Sequence, residues 1–118
     1  MTRVAVAINN EDENTFWHFG HAERFKIFDV EDHKIQSSHY VTIPEGHGPD
    51  KLNGLINENV NVIIADGQGP QIVPMANEAG IQTFSGFKGN ANDAVQQFMD
   101  GSLVNDDSAV KPCSGSHC

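Results

Sequence analysis

Short runs of apolar residues alternate with glycine, proline and acidic turns, and their spacing predicts alternating strands and helices. Residues 3–9 are apolar on both faces, which is typical of a central strand covered by helices on each side. Residues 25–30 and 34–43 also have strand-like composition, and a short acidic turn at residues 31–33 joins them. This arrangement predicts a β-hairpin after the loop that follows the first strand.

Helical spacing and strand-like runs alternate in the second half of the chain. In chain order they predict a helix from Asp50, a strand at 60–65, a helix ending at Ala79, a strand at 81–84, and a helix that is capped by Asn90 or Asn92 and ends at Gly101. Helical crossovers make the first, fourth and fifth strands parallel, whereas the hairpin adds antiparallel neighbours. We therefore predict an α/β, ribonuclease H-like three-layer fold, with a mixed five-stranded sheet and helices on both faces.

One α/β domain accounts for residues 1–103, because a chain of 118 residues can bury one core but not two. Residues 104–118 are rich in Ser, Asp, Gly and Pro, so we predict a flexible tail there. The tail carries Cys113, His117 and Cys118, which are two soft ligands and one imidazole within six residues. This composition suits zinc, copper(I) or iron, and such a tail could fold over a cofactor. The alternative is a terminus that binds no metal and is either disordered or closed by a disulfide.

Acidic residues dominate the charge, since sixteen Asp and Glu face seven Lys and Arg and give a formal net charge of −9. Nucleic-acid binding depends on clustered basic side chains, so we exclude a nucleic-acid partner. No apolar run approaches the ~20 residues of a membrane-spanning helix, and no secretory signal is evident, so we expect a cytoplasmic protein without a membrane partner. An anionic ligand must then be held locally, by backbone N–H groups, helix N-termini or metal coordination.

Candidate chemistry lies in the loops after the parallel strands, because ligand sites of open α/β sheets gather at the carboxyl ends of strands. The three loops span residues 10–20, 66–70 and 85–92. The first contains His18 between Trp17 and Phe19, which could present the imidazole in one orientation. Neutral imidazole is a good ligand for iron and other transition metals. The competing interpretation is that the aromatic residues belong to a core or an interface and His18 only lies beside them.

Further candidates lie near the predicted helix starts. His47 has a glycine on each side, which suits a metal-binding loop and an exposed turn equally. Gly67 and Gly69 allow a ligand to approach the backbone closely, and N–H groups of the adjacent helix starts could face an anion; ordinary turns are the alternative. Arg24 could add positive charge or could be a solvated surface residue.

The segment HFGHAERF at residues 18–25 resembles the signature of the dinitrogenase iron–molybdenum cofactor biosynthesis family. That family includes nitrogenase cofactor carriers, a nitrogenase gamma-like accessory protein, and a C-terminal domain of the radical enzyme that makes the cofactor precursor. The resemblance continues through the hairpin, the GHG loop, VNVIIADGQGP and IQTFSG, over residues 3–103. It implies that His18, in the HFG motif with Phe19 and Gly20, binds the cofactor. His21 is a weaker candidate, because other branches carry Arg or Ser there.

The resemblance implies a carrier, and not an enzyme, that holds a labile iron–sulfur or iron–molybdenum-type cluster during nitrogenase-like cofactor biosynthesis. Donor and acceptor proteins of cofactor assembly would be its partners. The cysteine content agrees, because a stable iron–sulfur cluster is usually held by four thiolates and this chain has two cysteines, both in the tail. One imidazole with backbone donors would hold a cluster loosely enough for another protein to remove it.

Three alternative functions stay open: a cargo-free regulatory or interaction module of the same fold, a binder of a molybdenum–copper–sulfur cluster, and a simple metal-ion binder. Two-metal nucleases need clustered carboxylates, including one on the first strand, and residues 3–9 contain none. The sequence also lacks the nucleophile-elbow, phosphate-loop and dinucleotide-binding motifs of common enzymes. We therefore expect a binding protein.

Overall fold

A computed structural model describes residues 2–44 and 46–106 of the chain. Within this part, the strands are β1 (Thr2–Ile8), β2 (Arg24–Glu31), β3 (Lys34–Thr42), β4 (Val62–Ile64) and β5 (Gln82–Phe84), and the helices are α1 (Gly48–Asn57), α2 (Ile72–Glu78) and α3 (Ala91–Asp100). A short 3₁₀ turn, Phe19–His21, precedes β2 and is absent from the sequence prediction. Among the described residues, no helix has the length and apolar character needed to cross a bilayer.

The five strands form one mixed sheet in the order β3-β2-β1-β4-β5. β1, β4 and β5 run parallel, with Val6 beside Ile64 in the register of β1 and β4. The hairpin strands β2 and β3 run antiparallel, and Ala7 of β1 lies opposite Phe25 of β2. Both the parallel and the antiparallel pairings match the prediction.

Side chains of β1 alternate between two hydrophobic layers, one on each face of the sheet. Ala5 and Ala7 point to the layer that contains buried residues of α1 and α2, whereas Val4 and Val6 point to the layer that contains those of α3. Every one of these four side chains is fully buried. The predicted three-layer α/β fold is thus confirmed, with β1 at its centre.

Two helix ends show how local chemistry sets the boundaries. α1 begins at Gly48, two residues before the predicted start, because Pro49 fits the first turn and the Asp50 carboxylate accepts the His47 N–H at 2.9 Å. α3 begins after Asn90, the first of the two predicted caps, whose side chain accepts the N–H two residues further on at 2.8 Å. It ends at Gly101, which takes the left-handed conformation with φ 77°.

Candidate functional site

Three loops meet at the carboxyl ends of the parallel strands β1, β4 and β5. The Phe19 N–H donates to the Gly67 carbonyl at 2.7 Å, which joins the loop after β1 to the loop after β4. The Gly86 N–H donates to the Asp66 carbonyl at 2.7 Å, which joins the loop after β4 to the loop after β5. The three sequence segments that carry most of the predicted site residues therefore form one continuous edge.

His18 is built into this edge as the N-cap of the 3₁₀ turn. Its backbone is extended, and its Nδ1 accepts the Gly20 N–H at 3.1 Å. The next residue, Phe19, is fully buried because its ring packs against Phe25 in the core layer of α1 and α2, with centroids 5.6 Å apart. His18 is itself only 3% exposed. Its imidazole is therefore a buried part of the turn.

Aromatic contacts surround the His18 imidazole on its outer side. Trp17 is 55% exposed, and its indole lies 5.3 Å from the His18 ring and 5.1 Å from the His21 ring, stacking on the latter at 24°. The two imidazole centroids are 5.5 Å apart. The sequence predicted that Trp17 and Phe19 flank His18. In the structure Trp17 and His21 contact His18, whereas Phe19 turns toward the core.

The hydrogen bond from Gly20 decides how His18 could bind a metal. A nitrogen that accepts a hydrogen bond carries no proton, so the neutral ring holds its proton on Nε2. A metal needs a nitrogen lone pair, which leaves two routes. Coordination through Nδ1 displaces the Gly20 N–H, and coordination through Nε2 moves the ring proton to Nδ1, where it faces the same N–H. Either route breaks the cap of the 3₁₀ turn.

The glycine-rich turn after β4 contains a buried polar residue that sequence reasoning missed. Gly67, Gln68 and Gly69 are all buried. The Gln68 Nε2 donates to the Ser85 Oγ at 3.0 Å and to the Phe84 carbonyl at 3.3 Å, whereas its Oε1 has no hydrogen-bond partner within the described residues. A buried acceptor without a donor costs about 1–3 kcal/mol, so Oε1 is a point where a bound donor would be stabilised.

The start of α1 packs directly on the 3₁₀ turn. Gly48 is buried there, and a methyl group at its Cα would lie 2.8 Å from the Ile72 Cδ1 and 3.8 Å from the Gly20 Cα. His47, which is exposed, therefore stands beside the turn. The Asp50 carboxylate already accepts the His47 N–H, so it occupies the anion-binding position expected at this helix start. The other candidate helix start belongs to α2, which is only seven residues long.

Lys51 is a second buried polar residue that the sequence prediction missed. It is 2% exposed and its ammonium donates to the Ile43 carbonyl. Burial lowers the pKa of Lys51 from its ordinary value, against the attraction of Glu23 and Asp50. Its position four residues before the buried Leu55 was the available signal, because such residues share a helix face.

Sequence and structural comparisons place the chain among known proteins. The model of the family described as "Dinitrogenase iron-molybdenum cofactor" matches residues 1–101. This chain belongs to that family. An uncharacterized protein of Methanocaldococcus jannaschii (MJ0580) is 23% identical over 108 residues, which are 87% of this chain and 90% of the relative.

Two solved structures share the fold of this family member. The structure of PH0822 has a TM-score of 0.80 at 25% identity and covers 89% of this chain and 95% of its own. The apo form of the orange protein from Desulfovibrio gigas has a TM-score of 0.76 at 23% identity and covers 90% of this chain and 93% of its own. The comparisons therefore support the predicted family and architecture together.

The family's HFG motif forms the N-cap and the start of the 3₁₀ turn. The turn and its N-cap together contain four of the predicted site residues, which are His18, Phe19, Gly20 and His21. Arg24 lies elsewhere, on the α3 side of the sheet. Its guanidinium stacks 4.4 Å above the Tyr40 ring and pairs with Glu13 at 3.4 Å. A hydrogen bond from Lys26 lowers the pKa of that carboxyl, with Tyr40 and Arg24 contributing. The Arg24 charge therefore serves to fix the loop after β1.

A cleft of about 340 Å³ lies at the opposite end of the sheet, away from the predicted residues. It is lined by Thr2, Val30, Glu31, Asp32, His33, Phe98 and Met99. The two carboxylates repel an anionic cargo, and the His33 Nδ1 is already bonded to the Met99 carbonyl at 3.1 Å. This cleft is therefore a poor candidate for a metallocluster.

Metal ligands are sparse at the carboxyl edge. Within residues 2–44 and 46–106, no group of three or more His, Cys, Asp or Glu side chains is arranged to hold a metal ion. The predicted tail ligands Cys113, His117 and Cys118 lie outside the described residues.

Proposed function

We propose that this family member binds and carries a labile iron–sulfur or iron–molybdenum-type cluster, and that His18 supplies the coordinate bond. The observation that carries the proposal is the position of His18: an imidazole of the family motif sits at the carboxyl edge of the sheet, beside an exposed indole and a second imidazole. Family membership supports this class of cargo. The protein acts as a binding protein between donor and acceptor proteins of cofactor assembly, and not as an enzyme.

Cluster binding replaces the hydrogen bond between Gly20 and His18 with a coordinate bond from His18 to the metal. The Gly20 N–H loses its acceptor when His18 turns to the metal, and it can then donate to a sulfide or carboxylate of the anionic cargo. Opening of the turn also uncovers Gly20 and Gly67, which are buried in the closed form. The coordinate bond must offset the cost of opening, so the net affinity is moderate. A carrier needs such an affinity, because the cargo must leave for an acceptor.

Titration of isolated iron–molybdenum cofactor, without oxygen, tests the proposal. Trp17 is the chain's single tryptophan and contacts His18, so its fluorescence should be quenched as cofactor binds. We expect the wild type and His39→Ala to bind alike, because His39 is an exposed residue of β3. His18→Ala and His18→Asn should both bind at least about tenfold more weakly.

The two His18 variants separate the loss of the metal ligand from the loss of the cap of the 3₁₀ turn. His18→Asn keeps an acceptor for the Gly20 N–H but offers a poor ligand to a soft metal. If His18→Asn bound cofactor as tightly as the wild type, His18 would not be the ligand. If the wild type itself bound no cofactor, the proposed cargo would be wrong, which would leave the cargo-free module, the molybdenum–copper–sulfur binder and the simple metal-ion binder.

A further inference from the structure

Gln68 lies at the centre of the carboxyl edge, in the turn after β4. Gly67, the residue before it, accepts the Phe19 N–H at 2.7 Å. Asp66 accepts the Gly86 N–H, also at 2.7 Å. Gln68 therefore sits between the two junctions that join its turn to the other loops of the site, and its polar side chain is fully buried there.

Hydrogen bonds fix which way the Gln68 amide faces. Its Nε2 donates to the Phe84 carbonyl at 3.3 Å and to the Ser85 Oγ at 3.0 Å. The Phe84 carbonyl also accepts the Ala65 N–H at 3.0 Å, so the amide continues the ladder between β4 and β5. A carbonyl oxygen can only accept, and the reversed amide would place two oxygens face to face. The nitrogen must therefore face β5, with Oε1 on the other branch of the amide.

Oε1 is thus a fixed and buried acceptor that no described residue uses. Buried polar atoms of folded proteins are nearly always hydrogen-bonded, and an apolar side chain of similar size would avoid the cost of this one. A sulfide or a carboxylate of a ligand would face Oε1 with its own lone pairs and would be repelled. The atom therefore suits a group that donates a hydrogen bond.

We propose that Gln68 is a second attachment point for the cargo, and that its Oε1 accepts a hydrogen bond from an O–H donor of the metal centre that His18 holds. The donor is a metal-bound water or a hydroxyl of the cofactor. The inference rests on the proposed function of His18. Because the acceptor is uncharged, it adds no negative charge to a chain that already carries −9.

One ligand can span both side chains. The Phe19–Gly67 hydrogen bond keeps the residues next to His18 and Gln68 in contact. Water bound to a metal is polarised and is a strong donor. From a metal on the imidazole, such a water reaches an acceptor about 7 Å from the ring nitrogen. Gln68 then determines specificity, because a cluster that presents only sulfide to this turn leaves Oε1 without a donor.

Titration of isolated iron–molybdenum cofactor into Gln68→Met tests the inference, because methionine has a similar length and only a weak acceptor. We expect about tenfold weaker binding, measured by quenching of Trp17. Gln82→Met, the same substitution at an exposed residue of β5, is the control and should bind as the wild type does. Without cargo, Gln68→Met should unfold at a urea concentration no lower than the wild type, because the variant loses an unpartnered acceptor together with its two bonds.

Cobalt(II) alone distinguishes the two donors, because the hydrated ion brings no donor other than water. A similar loss of cobalt affinity in Gln68→Met would assign the donor to a metal-bound water. A cobalt affinity that Gln68→Met leaves unchanged, beside a weakened cofactor affinity, would assign it to a hydroxyl of the cofactor.

Two results would overturn the inference. Wild-type cofactor affinity in Gln68→Met would show that the cargo does not use Oε1. Weaker binding together with a lower urea midpoint would show that Gln68 maintains the fold instead. Neither result changes the loss of binding expected for His18→Asn, so failure of the inference is distinguishable from failure of the proposed function.

Discussion

Replacement of His18 by alanine should destabilise the protein even without cargo, because it removes a buried cap. The Gly20 N–H loses its acceptor, and an unsatisfied buried donor costs about 1–3 kcal/mol. Loss of an imidazole that is 97% buried leaves a cavity against Trp17 and the turn, which adds about 1 kcal/mol or more. We therefore expect His18→Ala to lower the free energy of unfolding by about 2–4 kcal/mol.

Asparagine at the same position should restore part of that loss. Its side-chain oxygen is among the best N-cap acceptors and can reach the N–H of the second residue of the turn, which is Gly20. We expect His18→Asn to be about 1–2 kcal/mol more stable than His18→Ala. The remaining deficit relative to the wild type reflects the smaller side chain.

Urea denaturation measures both differences. Trp17 reports on the site and far-ultraviolet circular dichroism reports on the whole fold, so agreement between the two signals would show a single transition. A slope of about 1–2 kcal/mol per molar urea converts a loss of 2–4 kcal/mol into a midpoint shift of about 1–4 M. Equal midpoints for His18→Asn and His18→Ala would refute the role of the Gly20 bond. A midpoint of His18→Ala equal to that of the wild type would refute the buried position of the imidazole.

Three further outcomes follow from the structure. Gly48→Ala should lower the free energy of unfolding by about 1–3 kcal/mol, because its new methyl would lie 2.8 Å from the buried Ile72. Gly69→Ala is the control, because its methyl would lie 3.5 Å from its nearest neighbour, and equal stabilities of the two variants in urea would contradict the expected clash. The depressed pKa of Glu13, caused first by its bond to Lys26, gives stability that is present above the carboxyl's unfolded pKa and is lost as pH falls through its folded pKa. Glu13→Gln should therefore remove about 0.5 kcal/mol at neutral pH and flatten the acid limb of a pH series of melts, and an unchanged limb would contradict it. Cofactor binding should strengthen slightly with ionic strength, because salt screens repulsion between an anionic cluster and a chain of charge −9, and a steep loss of affinity with salt would contradict this expectation.

The sheet was predictable because its signals are periodic and local. Runs that are apolar on both faces identified β1 and β4 as central strands, and the helices between the parallel strands set their direction. The loops of the site followed from topology alone, since carboxyl ends of parallel strands meet at one edge. Asn90 and Gly101 gave correct ends for α3 because caps depend on single residues.

The interior of the site was less predictable because it depends on contacts between distant segments. The 3₁₀ turn forms because Phe19 inserts into the core and its N–H binds Gly67, 48 residues away, and neither event leaves a periodic signal. Gln68 and Lys51 are buried through partners in other elements, the Ser85 hydroxyl and the Ile43 carbonyl. A sequence pattern would assign both to the surface, where such residues are usually found.

The distribution of charge explains why a cluster would depend on His18 for its attachment. Four basic side chains of the described residues are engaged in the pairs Arg3–Asp29, Arg24–Glu13, Lys26–Glu13 and Lys88–Asp66, and Lys34 lies at the start of β3, at the opposite end of the sheet. Lys51 is buried against a carbonyl, and the start of α1 already holds its own carboxylate. An anionic cargo therefore gains little from formal charges and must depend on coordination and on the N–H groups uncovered when the 3₁₀ turn opens. Under the proposed function, those same groups would re-form the turn once the cargo leaves, and the protein would return to its closed state.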